Sequence, residues 1–222
     1  MKALSLLLVL PLAGCGVVDV IPKIAMGSGP QIAGTGKPVR ETRSARAVTG
    51  VEASGAMLVE VRKGSPKLVV QAQKEILKRL RTEYKDGRLV MWTEGNINTD
   101  QPIRAWYTGP NVSSIEGSGA TEFDATGLVG SSSRISLSGA SKVKAAGKVG
   151  TLRVEVSGAS EANLKALESE SARVEASGAS RVWVRTRGGL DASASGASEI
   201  KYVGKPSRIN DETSGASSVS AG

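Results

Sequence analysis

The sequence predicts an all-β fold, a β-solenoid (parallel β-helix-like) with coils of about 19 residues, on three observations. A short peptide recurs on a near-fixed period, hydrophobic residues alternate on either side of it, and the composition is rich in glycine but poor in aromatic rings. The triplet Ser-Gly-Ala begins at Ser54, Ser118, Ser138, Ser157, Ser177, Ser195 and Ser214, and the last six starts lie 20, 19, 20, 18 and 19 residues apart. Each of these six is followed by a hydroxyl residue: Thr121, Ser141, Ser160, Ser180, Ser198 or Ser217. Helical-pair repeats need more than about 30 residues, so a period this short fits one coil of a solenoid.

Aligned on the triplet, the coils form columns. Ser113, Ser133, Leu152, Ala172, Leu190 and Ile209 fall in one. Ile115, Ile135, Val154, Val174, Ala192 and Asp211 fall two residues on, and Gly117, Leu137, Val156, Ala176, Ala194 and Thr213 two further. A mostly apolar column at every second position is the inner face of a strand. The interleaved columns, such as Arg134, Arg153 and Arg173 or Glu155 and Glu175, are polar and point out. After the tetrapeptide the alternation resumes with Phe123, Val143, Ala162, Val182, Ile200 and Val219 inward. Each coil therefore holds at least two strands around a corner, with room for a third.

The corner is built from Ser118 and Gly119, Ser138 and Gly139, Ser157 and Gly158, Ser177 and Gly178, Ser195 and Gly196, and Ser214 and Gly215. Glycine permits the left-handed backbone that a tight turn needs. Rungs stack about 4.8 Å apart, so the two Ser columns are expected to form hydroxyl ladders. Six equivalent serines are a scaffold pattern. The sequence has no histidine to activate any of them. Directly after the corner stand Glu122, Lys142, Glu161, Arg181 and Glu199, alternating in sign, and this column is expected to act as a register device.

Residues 39–117 are less regular. Residues 51–61 repeat the strand–corner–strand logic around Ser54, and Asp86-Gly87 is a turn signal between two strands. The 64 residues from Ser54 to Ser118 leave room for about three coils with degenerate corners, an irregular entry half of the same solenoid. Residues 118–222 are the regular repeat coils.

The start of the chain has a basic residue, Lys2, an apolar run over residues 3–10, and then Leu12-Ala13-Gly14-Cys15. This is a signal-peptide pattern, with residues 1–14 removed. The last four residues resemble a bacterial lipobox, which implies acylation of Cys15, the only cysteine. Acyl chains on Cys15 would hold the protein on a membrane. Gly16 favours export to the outer membrane by the same resemblance. Residues 15–38 read as a flexible tether. The net charge of +8 is concentrated in local runs. An exported lipoprotein meets lipid head groups and acidic glycans, so nucleic acid is not an expected partner.

The recurrent corners, residues 51–61 and residues 80–92 around Asp86-Gly87 together resemble the auto-transporter adhesin head GIN domain family, over residues 40–220. The resemblance implies an exported, often lipid-anchored β-solenoid, and it supplies no catalytic residue to carry over.

The expected function is therefore a non-enzymatic cell-envelope lipoprotein, structural or adhesin-like, offering long faces to a glycan or an envelope protein. Candidate contacts are Trp183, in an outward column with Asp124, Lys144, Asn163, Lys201 and Ser220, and the pair Trp106-Tyr107. The alternative is a polysaccharide-active enzyme on the same scaffold, which needs clustered carboxylates. Asp191, Asp211 and Glu212 are the nearest approach. No cofactor, metal or catalytic residue is expected. Asp211 and Thr213 in core columns of the last coil leave two expectations, a crude cap or an end-to-end homo-oligomer.

Overall fold

The computed structural model describes residues 31–222. The expected signal peptide and Cys15 lie outside the described residues. The protein is a β-solenoid of about five turns. Its first half holds β1 (Ile32–Ala33), β2 (Val39–Arg43), β3 (Gly50–Gly55), β4 (Met57–Lys63), β5 (Lys67–Ala72), α1 (Lys74–Leu77), β6 (Leu80–Lys85), β7 (Arg88–Thr93), β8 (Ile97–Asn98) and β9 (Ile103–Gly109). The repeat coils hold β10 (Ser114–Gly119), β11 (Glu122–Leu137), β12 (Lys142–Val156), β13 (Glu161–Ala176), β14 (Arg181–Thr186), β15 (Gly189–Ala194), β16 (Glu199–Val203), β17 (Arg208–Thr213) and β18 (Ser218–Ala221).

Successive coils pair in parallel, in the register that the columns require. Ile115 sits on Ile135, Ile135 on Val154, Val154 on Val174 and Val174 on Ala192. Ile115, Ile135, Val154 and Val174 are fully buried. We call the side before the corner the leading face and the side after it the trailing face. The third side is made by the middle of β11 to β13, where bulges at Thr126/Leu128, Lys144/Ala146 and Leu164/Glu168 bend one long strand instead of ending it.

The corner glycines explain themselves. Gly139 has φ 75° and Gly178 has φ 77°, in the left-handed region. A Cβ on either would lie 2.6 Å from the carbonyl oxygen of the corner glycine one rung before. Backbone conformation and rung spacing both demand glycine there.

The hydroxyl ladder takes another form than expected. The first Ser column does little bonding. The second is buried from Thr121 to Ser198. Its hydroxyls donate back to the carbonyl that opens the same corner: Ser141 to Ser138 at 2.8 Å, Ser180 to Ser177 at 3.0 Å, Ser198 to Ser195 at 2.8 Å and Ser217 to Ser214 at 2.9 Å. Only Thr121 to Ser141, at 3.1 Å, links one side-chain hydroxyl of this column to the next. The carbonyls turn inward at a tight bend, and the nearest donor is the hydroxyl three residues on.

Residues 39–117 are not three degenerate coils. β3 pairs directly with β10, Ser54 against Ser118 and Gly55 against Gly119. β4 pairs with β11. The first rung thus lies immediately under the repeat coils. The chain then leaves it, doubles back and lays β7 and β9 on its outer side, in parallel with β3 and β4. Beyond them, β6 pairs antiparallel with β7, β5 with β9, and β2 with β5. α1 joins β5 to β6 across this end and buries Ile76 and Leu77. This pole is a cap that covers the core. Residues 32–34, expected within the tether, belong to it: Ile32 and Ala33 pair with Ile97 and Asn98, and Gly34 donates to the Asn98 carbonyl at 2.9 Å.

Candidate interaction faces

The trailing face carries two outward columns. The first reads Leu58, Glu122, Lys142, Glu161, Arg181, Glu199, Ser218 across the register. Its signs alternate as expected, yet none of its members forms an ion pair with its neighbour across rungs among the described residues. Glu199 pairs instead with Lys201 of its own strand at 2.9 Å. Exposed side chains here extend into water, and backbone hydrogen bonds already hold the register.

The second outward column runs Trp106, Glu60, Asp124, Lys144, Asn163, Trp183, Lys201, Ser220. Trp106 and Trp183 therefore share one column, five rungs apart, or about 24 Å at the usual rung spacing. Sequence alignment alone missed this, because β9 lies out of order in the stack. The Trp106 indole donates to Glu60 at 3.0 Å, and the Arg40 guanidinium lies 4.9 Å from its ring centre. The Lys165 ammonium lies 5.3 Å from the Trp183 ring centre. Both rings are half-buried, each with an exposed cation over it.

Tyr107 does not belong with them. It is fully buried. Strand alternation turns it inward when Trp106 points out. Its hydroxyl donates to the Arg46 carbonyl at 2.7 Å and accepts from the Val48 amide at 3.2 Å. Burial raises its pKa. Tyr107 holds the segment before β3 against the core and cannot meet a partner.

The leading face forms a long trough of about 2220 Å³, running from Trp92 past Arg134 and Glu155 to Glu212. Arginine and carboxylate columns line it as a ladder of ion pairs. Arg88 bonds Glu52 at 3.2 Å and Glu116 at 2.6 Å. Arg134 and Arg153 share Glu155 at 2.9 and 2.6 Å, and Arg153 also reaches Glu175 at 3.5 Å. Arg173 and Arg208 flank Asp191 at 3.5 and 3.8 Å. A hydrogen bond from Asn210, then Arg208 and Arg173, hold the Asp191 carboxyl below its usual range. Glu52 moves the other way: burial and the nearby Glu116 charge raise its pKa against the pull of Arg88. Asp191 thus stands in an ion-pair rung, apart from any acidic cluster with Asp211 and Glu212, and among the described residues no group of acidic side chains is arranged to hold a metal. Sequence reading also missed Trp92, whose place in the trough depends on the backward-laid β7.

Among the described residues no helix is long and apolar enough to cross a membrane. No curated protein matches the chain. Several solved structures share its fold. One from Bacteroides fragilis NCTC 9343, described as a "putative adhesin", is 16% identical with a TM-score of 0.69, covering 87% of this chain and 100% of that one. Another "putative adhesin", from Parabacteroides merdae ATCC 43184, is 14% identical with a TM-score of 0.60 over the same shares of both chains. A "putative lipid binding protein" from Parabacteroides distasonis ATCC 8503 is 16% identical with a TM-score of 0.52, again over 87% and 100%. The family model described as "Putative auto-transporter adhesin, head GIN domain" matches residues 47–206. With most of the chain matched, the protein belongs to that family.

Proposed function

We propose that this protein is a non-enzymatic lipoprotein of the cell envelope, anchored through Cys15 in the outer membrane, that binds an extended glycan along its trailing face. The observation that carries the reading is the shared column of Trp106 and Trp183. Two indoles on one flat face, about 24 Å apart with amide, carboxylate and ammonium groups between them, suit a linear chain of sugars. A stacking sugar displaces the exposed Lys165 from Trp183, a contact worth only about 0.5–1 kcal/mol at such sites. The family description and the adhesin neighbours accord with binding rather than catalysis.

A glycan array probed with residues 31–222 tests this. That span contains every described strand and the whole described core. Trp183→Ala is expected to weaken the strongest signals at least about tenfold, in line with the loss of one stacked ring. A second variant, Trp106→Ala, is expected to weaken binding to long chains more than to short ones. Identical profiles for wild type and Trp183→Ala would refute the reading, and binding of an envelope protein but no glycan would replace it.

The enzyme alternative draws support from one observation, the raised pKa of Glu52 beside Glu116 in the trough. Arg88 bonds both carboxylates, which leaves neither free as a nucleophile or an acid. Release of new reducing ends from the same polysaccharides would favour the enzyme.

A further inference from the structure

The positive charge of this protein is not spread along the solenoid. Residues 37–46 and 74–88, which contain β2, α1 and β6 of the pole, carry ten Lys or Arg against four Asp or Glu. The repeat coils, residues 114–222, carry thirteen against twelve. One end is strongly basic and the rest is nearly neutral.

Packing gathers several of these cations at one end. β2 is the outermost strand beside β5; its Arg40, opposite Gln71, lies on the face that carries Trp106 and so borders the trailing face instead. Gln73 donates to the Gly36 carbonyl at 3.2 Å, which brings Lys37 beside Lys74 at the start of α1. Arg43 donates to the Leu77 and Leu80 carbonyls at 3.2 and 2.8 Å, tying β2 to α1 and β6. Lys37, Lys74, Lys78 and Arg79 are exposed, and none is among the ion pairs of the described residues. Val39, one of two large exposed apolar side chains among the described residues, sits on β2 and points to the face opposite Arg40.

The described chain enters at the same pole, through β1. Cys15 precedes residue 31 by only 16 residues. Such a segment spans at most about 55 Å. Whatever surface holds Cys15 therefore faces the pole at high effective concentration.

We propose that the pole is a docking surface for anionic lipid head groups, with Lys37, Lys74, Lys78 and Arg79 as its contact cations and Val39 entering the interface. This rests on the lipid-anchored reading above for its biological setting, but not for its chemistry. Acyl chains and a basic patch together are the two-signal attachment that holds a protein firmly on a membrane. Docking by the pole would leave both long faces clear for partners.

The test is sedimentation of residues 31–222 with vesicles, which requires no acyl chain, so a failure of anchoring at Cys15 leaves its outcome unchanged. Binding is expected to vesicles containing phosphatidylglycerol and not to pure phosphatidylcholine, and to fall steeply with added salt. Lys74→Glu/Lys78→Glu/Arg79→Glu is expected to lower the partition coefficient at least about tenfold. Lys37→Glu serves as an independent second variant, should the first perturb α1, and is expected to weaken binding in the same direction. Lys142→Glu/Arg181→Glu/Lys201→Glu makes the same change of net charge on the repeat coils and is expected to bind nearly as wild type. Equal losses in the pole and coil variants, or no preference for anionic vesicles, would overturn the proposal. So would tighter binding, at equal charge concentration, to a soluble polyuronate than to the vesicles.

Discussion

At the scale of single residues, the corner glycine is the least replaceable group in the repeat. Gly158 has φ 75°, and a Cβ there would collide with the Gly139 carbonyl oxygen. Gly158→Ala is expected to destabilise the protein by about 2 kcal/mol or more, from left-handed strain plus the clash. The neighbouring Ser157→Ala, whose hydroxyl makes only a 3.4 Å contact with the Leu137 carbonyl, is expected to cost under about 0.5 kcal/mol. Thermal unfolding by circular dichroism compares the two. The glycine was legible in the sequence because it recurs. The split between Trp106 and Tyr107 was legible too but overlooked: Ile103 and Ala105 share the phase of Tyr107, while Arg104 and Thr108 share that of Trp106.

At the scale of strands, the two long faces treat charge differently. On the trailing face the alternating column makes no ion pair across rungs among the described residues, while on the leading face Arg153 bridges Glu155 and Glu175. Arg153→Glu is therefore expected to lower the melting temperature more than Lys142→Glu at low ionic strength, and the difference should shrink in 0.5 M salt, at roughly which ionic strength the Debye length is near 4 Å. Equal effects of the two reversals would contradict the ladder. The polar columns themselves were legible from spacing. Which members bond was not, because the arginines lean to acids in their own or the next rung, a choice of rotamer that no pattern encodes. The cap was hidden for a related reason. β5 and β6 run antiparallel at the pole, and nothing local announces that β7 and β9 lie outside a rung that precedes them in sequence.

At the scale of the whole molecule, stability is expected to vary along the stack, since each coil contacts only its neighbours. β12 is hydrogen-bonded to β11 on one side and β13 on the other. β17 and β18 are bonded on one side only, to β15 and β16, among the described residues. Amide hydrogen exchange is expected to be slowest in β12 and β13 and fastest in β17 and β18. Uniform protection along the stack would indicate a single cooperative unit instead.

The backward-laid rung has a consequence in time. Emerging from its N-terminus, whether from a ribosome or on export, the chain presents β3 and β4 well before their partners. Val51 and Ala53 then wait for β7 on one side and β10 on the other, and Val59 waits for β9 and β11. Roughly 40 to 65 residues separate these strands from their partners, a delay of roughly 2 to 13 seconds at ordinary elongation rates. During that delay residues 50–63 present two open hydrogen-bonding edges, and it is there that a nascent chain of this kind most needs a chaperone, or is most exposed to capture by another copy of itself.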